Sequence, residues 1–239
     1  MAVWWGSVID AAKAMAAWVY YDGDVMDLMV WGKWIIKDAA PIAWVLTMAG
    51  TGSEMDMWWV ITAGPDHKKY TIMHPLLYPR FSILDPVYTY SVPEKYTMAW
   101  CFDALCHMIE SYFIPSESTE TQDRMNEWVM KVIIKNAPLL LDNAEDYNAR
   151  ANIMWASSRP LAWFQFTLGK ELSDRPLHRM WHELSSLYDM THWITLALLT
   201  PAWMKYTIQS APEYLYMFAD FARNVFDVRE ENDNRTAQQ

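Results

Sequence analysis

Glycine is scarce, with 7 residues in 239. It is the residue that enters left-handed turns and lets a backbone approach a ligand without steric cost, so loop chemistry built on runs of glycine has little material here. Cysteine is scarcer, represented by Cys101 and Cys106 alone. Five apart in a stretch of helical character, they point to different faces, so no mutual bridge is expected and both read as reduced core thiols. Positive charge is in deficit: 19 Lys and Arg against 29 Asp and Glu give a formal charge of −10. That argues against a nucleic-acid partner, because phosphate binding relies on concentrated cations. Long hydrophobic runs are missing too. The uncharged run from Ala39 to Ser53 has 15 residues and is interrupted by Pro41, Gly50 and Gly52, too short and broken for a membrane span. The amino terminus lacks the basic, apolar and small-residue order of a secretory signal. A cytoplasmic protein with no membrane partner is therefore expected.

What is present is a large supply of core. Apolar residues make up 53% of the chain, aromatic residues 15%, and tryptophan alone numbers 15. A chain of this length and composition can bury a sizeable interior as one large domain or two smaller ones.

The order of elements predicts an α/β part followed by an all-α part, with the boundary at 92/93. Apolar runs read as strands at Ala2–Trp5, Ile42–Thr47, Met57–Ala63 and Phe81–Pro86, with a helix from Val8 after a turn at Gly6 and Ser7. Strands separated by helix or turn segments suggest an α/β layer. Beyond residue 93 the apolar period lengthens to three or four, predicting helices over Glu94–Ile114, Glu120–Leu141, Tyr147–Leu168, His178–Leu187, Thr191–Ile208 and Pro212–Phe226. The tail "REENDNRTAQQ" reads as frayed.

Within the first long helix, "CFDALCHMIE" places Asp103 and His107 four residues apart. On a helix such residues stack one turn above the other, so a carboxylate and an imidazole can meet at one point. Neither is cheaply buried unpaired, and a hydrogen-bonded Asp–His staple accounts for the pair as well as a cation does. Further partners come from "LHRMWHELSSLYDMTHW", which carries His178, His182 and His192, half of the 6 histidines. In one straight helix, His178 and His192 would be about 21 Å apart at ~1.5 Å per residue. A chain return near Tyr188 to Met190, with Asp189 or Thr191 as the next cap, removes that obstacle. Asp103, His107, His178 and His192 then form an N₃O set suited to Zn²⁺ or Fe²⁺. His182, one turn from His178, is a candidate for moving a proton beside the metal. His67 and His74 fall in a polar, proline-containing loop region and read as solvent residues.

Two turns invite a cofactor. Gly6 and Ser7 in "GSVIDAAK" open a helix, where free N–H groups and the dipole favour a pyrophosphate. Thr47 to Glu54, "TMAGTGSE", places hydroxyls and glycines after a strand, suited to wrap a phosphate or a nicotinamide ring or simply to cap the next segment.

In their order, "GSVIDAAKAMA", "TMAGTGSE", "FSILDPVYTYSVP", "FDALCHMIESY", "HRMWHELS" and "YDMTHWITLALLTPAWMKY" closely resemble the iron-containing (group III) alcohol dehydrogenases, above all their butanol dehydrogenase branch. The resemblance runs from Val3 to about Val228. It implies the dehydroquinate synthase-like fold: a Rossmann-like dinucleotide-binding domain, then a helical metal-binding domain, with metal and nicotinamide in the cleft between them. It implies Fe²⁺ or Zn²⁺ held by Asp103, His107, His178 and His192, with His182 as the additional active-site histidine. NAD(H) or NADP(H) would be contacted by Gly6, Ser7, Asp10, Thr47, Thr51, Gly52 and Ser53, with Lys68 and Lys69 as further candidates. The implied reaction moves a hydride between the nicotinamide and a small primary alcohol or aldehyde, in a protein that is commonly a homodimer.

The chain also departs from that pattern. Family members carry strands before the first turn, so a fragment or shortened homologue with an incomplete nucleotide-binding layer is expected. Trp4 and Trp5 precede Gly6 where the family has glycines; Trp100, Trp193 and Thr195 also replace glycines. These changes predict that metal binding is retained while turnover is impaired. Two other readings compete: a metal-dependent hydrolase, and an inactive metal-binding fragment that needs a partner.

Overall fold

A computed structural model of the chain describes residues 2–4, 6–64, 68–158, 176–188, 192–230 and 232–238. Strand β1 (Ala2–Trp4), helices α1 (Gly6–Trp18) and α2 (Val25–Ile35), and strands β2 (Ala43–Leu46), β3 (Trp58–Ala63), β4 (Lys68–Met73) and β5 (Phe81–Ile83) make up the α/β part. The helical part comprises α3 (Glu94–Tyr112), α4 (Glu120–Asn136), α5 (Leu139–Asp142), α6 (Tyr147–Ser158), α7 (Pro176–Tyr188), α8 (His192–Ser210), α9 (Leu215–Phe226) and α10 (Asp233–Gln238). Among the described residues no helix is long and apolar enough to cross a membrane.

β1, β2 and β5 form a parallel sheet in the order β1-β2-β5, with Val3 opposite Val45 and Trp44 opposite Ser82. Parallel neighbours require a long crossover, and α1 with α2 supplies it between β1 and β2. All four residues of β2, "AWVL", are buried, which is why they form a continuous apolar run rather than an alternating one. α1 serves two cores. Its Ile9 and Ala16 pack with Trp44 and Leu46, while Ala14 and Ala17 pack with Leu28 and Trp59. Met154 of α6 joins the first of these clusters and so fastens the helical part to the sheet. A third cluster, including Met108, Met130, Ile133, Leu177 and Leu196, holds the helices together.

Several expected elements are corrected. Met57–Ala63 does not join the parallel layer: β3 pairs antiparallel with β4, Trp59 opposite Ile72, in a separate two-stranded sheet. The continuous helix Glu120–Leu141 breaks after Asn136, because Pro138 has no N–H with which to continue the ladder. Pro212–Tyr214 is a 3₁₀ turn before α9 rather than its first turn. Gly6 and Ser7 are the first residues of α1 instead of a separate turn. The tail is not frayed through its length: Asp233–Gln238 is helical, and Arg223 of α9 donates to Asp233 Oδ1 at 2.6 Å and to the Glu230 carbonyl at 3.1 Å. The expected continuation of α6 to Leu168 lies outside the described residues, as does His67.

Candidate metal centre and cofactor cleft

Three helices bring the charged residues together. α3 carries Asp103 and His107 one turn apart, α7 carries His178 in its first turn, and α8 begins at His192. The return between α7 and α8, with the expected caps Asp189 and Thr191, lies outside the described residues. One ligand-type atom from each of Asp103, His178 and His192 lies within 4.8 Å of the others. Asp103 Oδ1 is 2.7 Å from His192 Nε2 and 3.6 Å from His178 Nε2. His107 Nε2 stands 4.0 Å from the same oxygen, and its ring stacks on His178 with centroids 4.7 Å apart. His107 therefore sits beside the three-residue group rather than within it.

Both Asp103 oxygens and His178 Nε2 are buried with no hydrogen bond of good geometry among the described residues. Close approach without hydrogen-bond alignment is what ligand atoms facing a common point produce. Burial works against a charge on Asp103, yet His192 and His107 override it and hold the carboxyl well below the usual carboxylate range. A permanent carboxylate beside imidazole nitrogens, shielded from water, is a donor set that Zn²⁺ or Fe²⁺ accepts. The residues present thus fit a divalent cation, which would satisfy atoms otherwise costly to bury.

Glu110 was missed in the sequence. It is 2% exposed, and its Oε1 accepts from the His178 backbone N–H at 2.9 Å while Oε2 meets His178 Nδ1. Burial opposes a charge on His178, but Glu110 and Asp103 push its imidazole up to about 9. The available signal was spacing: Asp103, His107 and Glu110 fall at i, i+4 and i+7, one stripe of a helix.

His182, one turn beyond His178, is pushed down to about 4, first by burial and then by the positive charge of His178, Lys69 and His192. It is a neutral imidazole at neutral pH. Lys69 donates to Thr62 Oγ1 at 3.1 Å and lies 4.7 Å over the Trp181 ring, bringing β4 up to α7. Lys68 lies 5.4 Å over Tyr70 instead.

The entry of α1 and the Thr47–Glu54 turn, both expected to meet a cofactor, touch each other. A β-carbon on Gly6 would lie 2.8 Å from Thr51 Cγ2, so the entry of α1 and the "TMAGTGSE" segment approach as closely as glycine permits. Thr47 follows β2 directly, and Gly52, at φ 71°, opens a short 3₁₀ turn over Ser53–Met55. Ser7 is exposed at the start of α1. Asp10 and Ser53 are engaged inside the protein. Ser53 Oγ donates to Asp10 Oδ1 at 2.6 Å, and Val60 N–H donates to Asp10 Oδ2 at 2.9 Å.

Lys13, also missed in the sequence, is fully buried and donates to four acceptors: Asp56 Oδ1 at 2.5 Å, Ser53 O at 2.7 Å, Trp58 O at 2.8 Å and Ser53 Oγ at 3.0 Å. Asp10 and Lys13 are three apart on one helix face, and this opposite-charge pair in a helix with no other charged residue was the readable sign. On the other side of the turn, Ser158 of α6 donates to Glu54, whose carboxyl burial raises above the usual range. The turn is therefore pinned to both parts of the fold.

Indoles wall the space between turn and metal residues. Trp100 packs on Gly50, where a β-carbon would come within 2.5 Å of it. Trp193 lies 5.3 Å from Trp100 and 5.4 Å from Tyr96, and Trp181 lies 3.7 Å from His192. Trp5 is outside the described residues.

Comparison with known proteins decides the ancestry. A model of the C-terminal region of the Fe-containing alcohol dehydrogenase family matches residues 97–239, and one of iron-containing alcohol dehydrogenase matches residues 5–86. The chain belongs to the iron-containing alcohol dehydrogenase family. NADH-dependent butanol dehydrogenase B of Clostridium acetobutylicum is 42% identical over 98% of this chain and 59% of its own length. NADPH-dependent aldehyde reductase YqhD of Escherichia coli is 33% identical over 84% of this chain and 52% of its own. The crystal structure of NADH-dependent butanol dehydrogenase A from Thermotoga maritima superposes with a TM-score of 0.89 at 36% identity, over 99% of this chain and 58% of that one. The α/β part followed by a large helical part is thus a family architecture, and the chain spans less than two thirds of the length of these relatives.

Proposed function

We propose that the chain is a metal-dependent alcohol dehydrogenase or aldehyde reductase, moving a hydride between NAD(H) or NADP(H) and a small primary alcohol or aldehyde. The observation that carries this reading is the gathering of Asp103, His178 and His192 within 4.8 Å on three helices, next to a turn drawn against the entry of α1. The names of the relatives support it, since both NADH- and NADPH-dependent proteins occur among them.

In this reading residues 1–92 are a partial dinucleotide-binding domain and 93–239 the metal-binding domain. Asp103, His178 and His192 hold Fe²⁺ or Zn²⁺, with His107 moving in as the fourth ligand. A bound divalent ion supplies Lewis acidity that polarises a carbonyl oxygen. His182, one turn from His178, takes and hands on the proton at a ring nitrogen. Gly6, Ser7, Thr47, Thr51 and Gly52 form the cofactor wall, while Asp10 and Ser53 act from behind it by holding the turn. Trp181, Trp100 and Trp193 exclude water from the metal side, and the last two also narrow the nicotinamide space, so turnover is weak. The protein works in the cytoplasm as a homodimer.

The test is metal analysis of purified protein after anaerobic loading with Fe²⁺ or with Zn²⁺, followed by nicotinamide absorbance with butanal and each reduced cofactor. About one ion per chain is expected, lost in His192→Ala, with oxidation of the cofactor only in the loaded protein. No ion in the wild type, or cofactor oxidation indifferent to loading, overturns the reading.

A further inference from the structure

The geometry points to Glu110 as a positioning residue that fixes the ligand face of His178, an inference that rests on the reading of Asp103, His178 and His192 as metal ligands. Glu110 is on α3, two turns beyond Asp103, and is buried at 2% exposure. Its carboxylate makes two bonds to one residue of another helix: Oε1 with the backbone N–H of His178 at 2.9 Å, and Oε2 with His178 Nδ1.

Each bond has a separate consequence. His178 is the third residue of α7, and the first four N–H groups of a helix have no partner within it. Glu110 satisfies one of them and sets a negative charge at the positive end of α7, docking that helix on α3. The ring bond sets the tautomer. A carboxylate is only an acceptor, so Nδ1 keeps its proton, and in the neutral form, the form that ligates a metal, His178 presents a bare Nε2. Nε2 is the atom 3.6 Å from Asp103 Oδ1, and it is buried without a hydrogen bond among the described residues. Glu110 therefore aims the lone pair of Nε2 at the point where Asp103 and His192 converge, and by accepting the Nδ1 proton it makes that lone pair more basic.

Glutamine cannot do both jobs. Its amide offers one acceptor and one donor group. If the oxygen keeps the backbone N–H, the NH₂ faces Nδ1, and His178 answers by moving its proton to Nε2, the ligand atom. If the oxygen keeps Nδ1, the NH₂ confronts a backbone N–H.

Zn²⁺ affinity is measured by chelator competition on wild type and Glu110→Gln, with Co²⁺ absorption spectra as a report on ligand geometry. Loss of an outer partner of a metal-bound histidine weakens binding about 10- to 100-fold, and that loss with an altered Co²⁺ spectrum is expected in a variant whose circular dichroism is unchanged. Affinity within threefold of wild type and an unchanged spectrum overturn the role of Glu110 while leaving the metal site standing; a wild type that binds no Zn²⁺ overturns both. Should Glu110→Gln not fold, nitrogen NMR of histidine in the wild type decides. A protonated, strongly hydrogen-bonded Nδ1 on His178 that persists with Zn²⁺ bound supports the inference, and protonation at Nε2 refutes it.

Discussion

Replacing Lys13 by Met keeps the length and linear shape of the side chain and removes only the ammonium. In the folded protein that ammonium is buried, with Asp56 Oδ1 at 2.5 Å and three further oxygens within 3.0 Å. At a pH where Asp56 is ionised, taking away its partner costs about 3–5 kcal/mol, because the carboxylate is left charged and unpaired. At roughly 2–4 °C per kcal/mol for a chain of this size, Lys13→Met is expected to lower Tm by about 6–20 °C above pH 8. The sign of the pH dependence comes from Asp56. Burial already pushes its carboxyl up to about 7 from an ordinary 3.8, against the pull of Lys13, and without the lysine it rises further. A carboxyl with a raised folded pKa binds more protons in the native state than in the unfolded one, so its contribution to stability is intact below about 4 and is lost as pH rises through the folded value. The deficit of the variant should therefore be small near pH 5 and largest above pH 8. Adding Asp56→Asn should recover much of the loss, since the carboxamide oxygen can still accept from Trp58 N–H while the stranded charge is gone. Thermal denaturation followed by circular dichroism at pH 5, 7 and 8.5 measures all three proteins. A fall of less than ~3 °C at pH 8.5, or a deficit that shrinks as pH rises, refutes the account of Lys13 as the cation that makes this knot tolerable.

What the sequence disclosed depended on whether the cause was local. The strands around Trp44, Trp59 and Phe81 were legible as short apolar runs, and the long helix around Cys106 by the three-to-four-residue period of its buried face. β4 was hidden because it opens with Lys68 and Lys69 and is held in place by pairing with β3. α2 was overlooked although Asp24 caps it, accepting from Met26 N–H at 2.7 Å. α10 depends on Arg223, ten residues before Asp233 in the chain. The candidate site divides the same way. Asp103 and His107 could be paired by counting along one helix, whereas Glu110 gains its meaning from a residue 68 positions away and Lys13 from residues 40 to 45 positions away. Asp10 and Ser53 were read as cofactor contacts from their motifs, and nothing in the sequence announces their bond to one another across 43 positions.

The remaining predictions concern reactivity and access. Cys101 and Cys106 are buried, and burial drives both thiols up, Cys101 to about 12; since the thiolate is the nucleophile, a chromogenic disulfide reagent should leave both untouched in native protein and titrate two thiols after denaturation, and rapid native reaction would contradict the packing of α3. Trp100 and Trp193 bear on whether the indoles limit turnover. Their Nε1 atoms are buried with no hydrogen bond among the described residues, so truncation removes packing without stranding a polar partner, and each indole-to-Ala change should cost at most about 3–5 kcal/mol. Neither residue carries a ligand atom, so metal content should stay at the wild-type level in Trp100→Ala and Trp193→Ala. The space vacated lies between the Gly50 turn and His192, which the proposed function gives to the nicotinamide ring, and the double variant should therefore bind reduced cofactor about tenfold more tightly by fluorescence titration, for ~1.4 kcal/mol of relieved crowding. Unchanged cofactor affinity in a folded, metal-loaded double variant would refute the narrowing of that space by the two indoles.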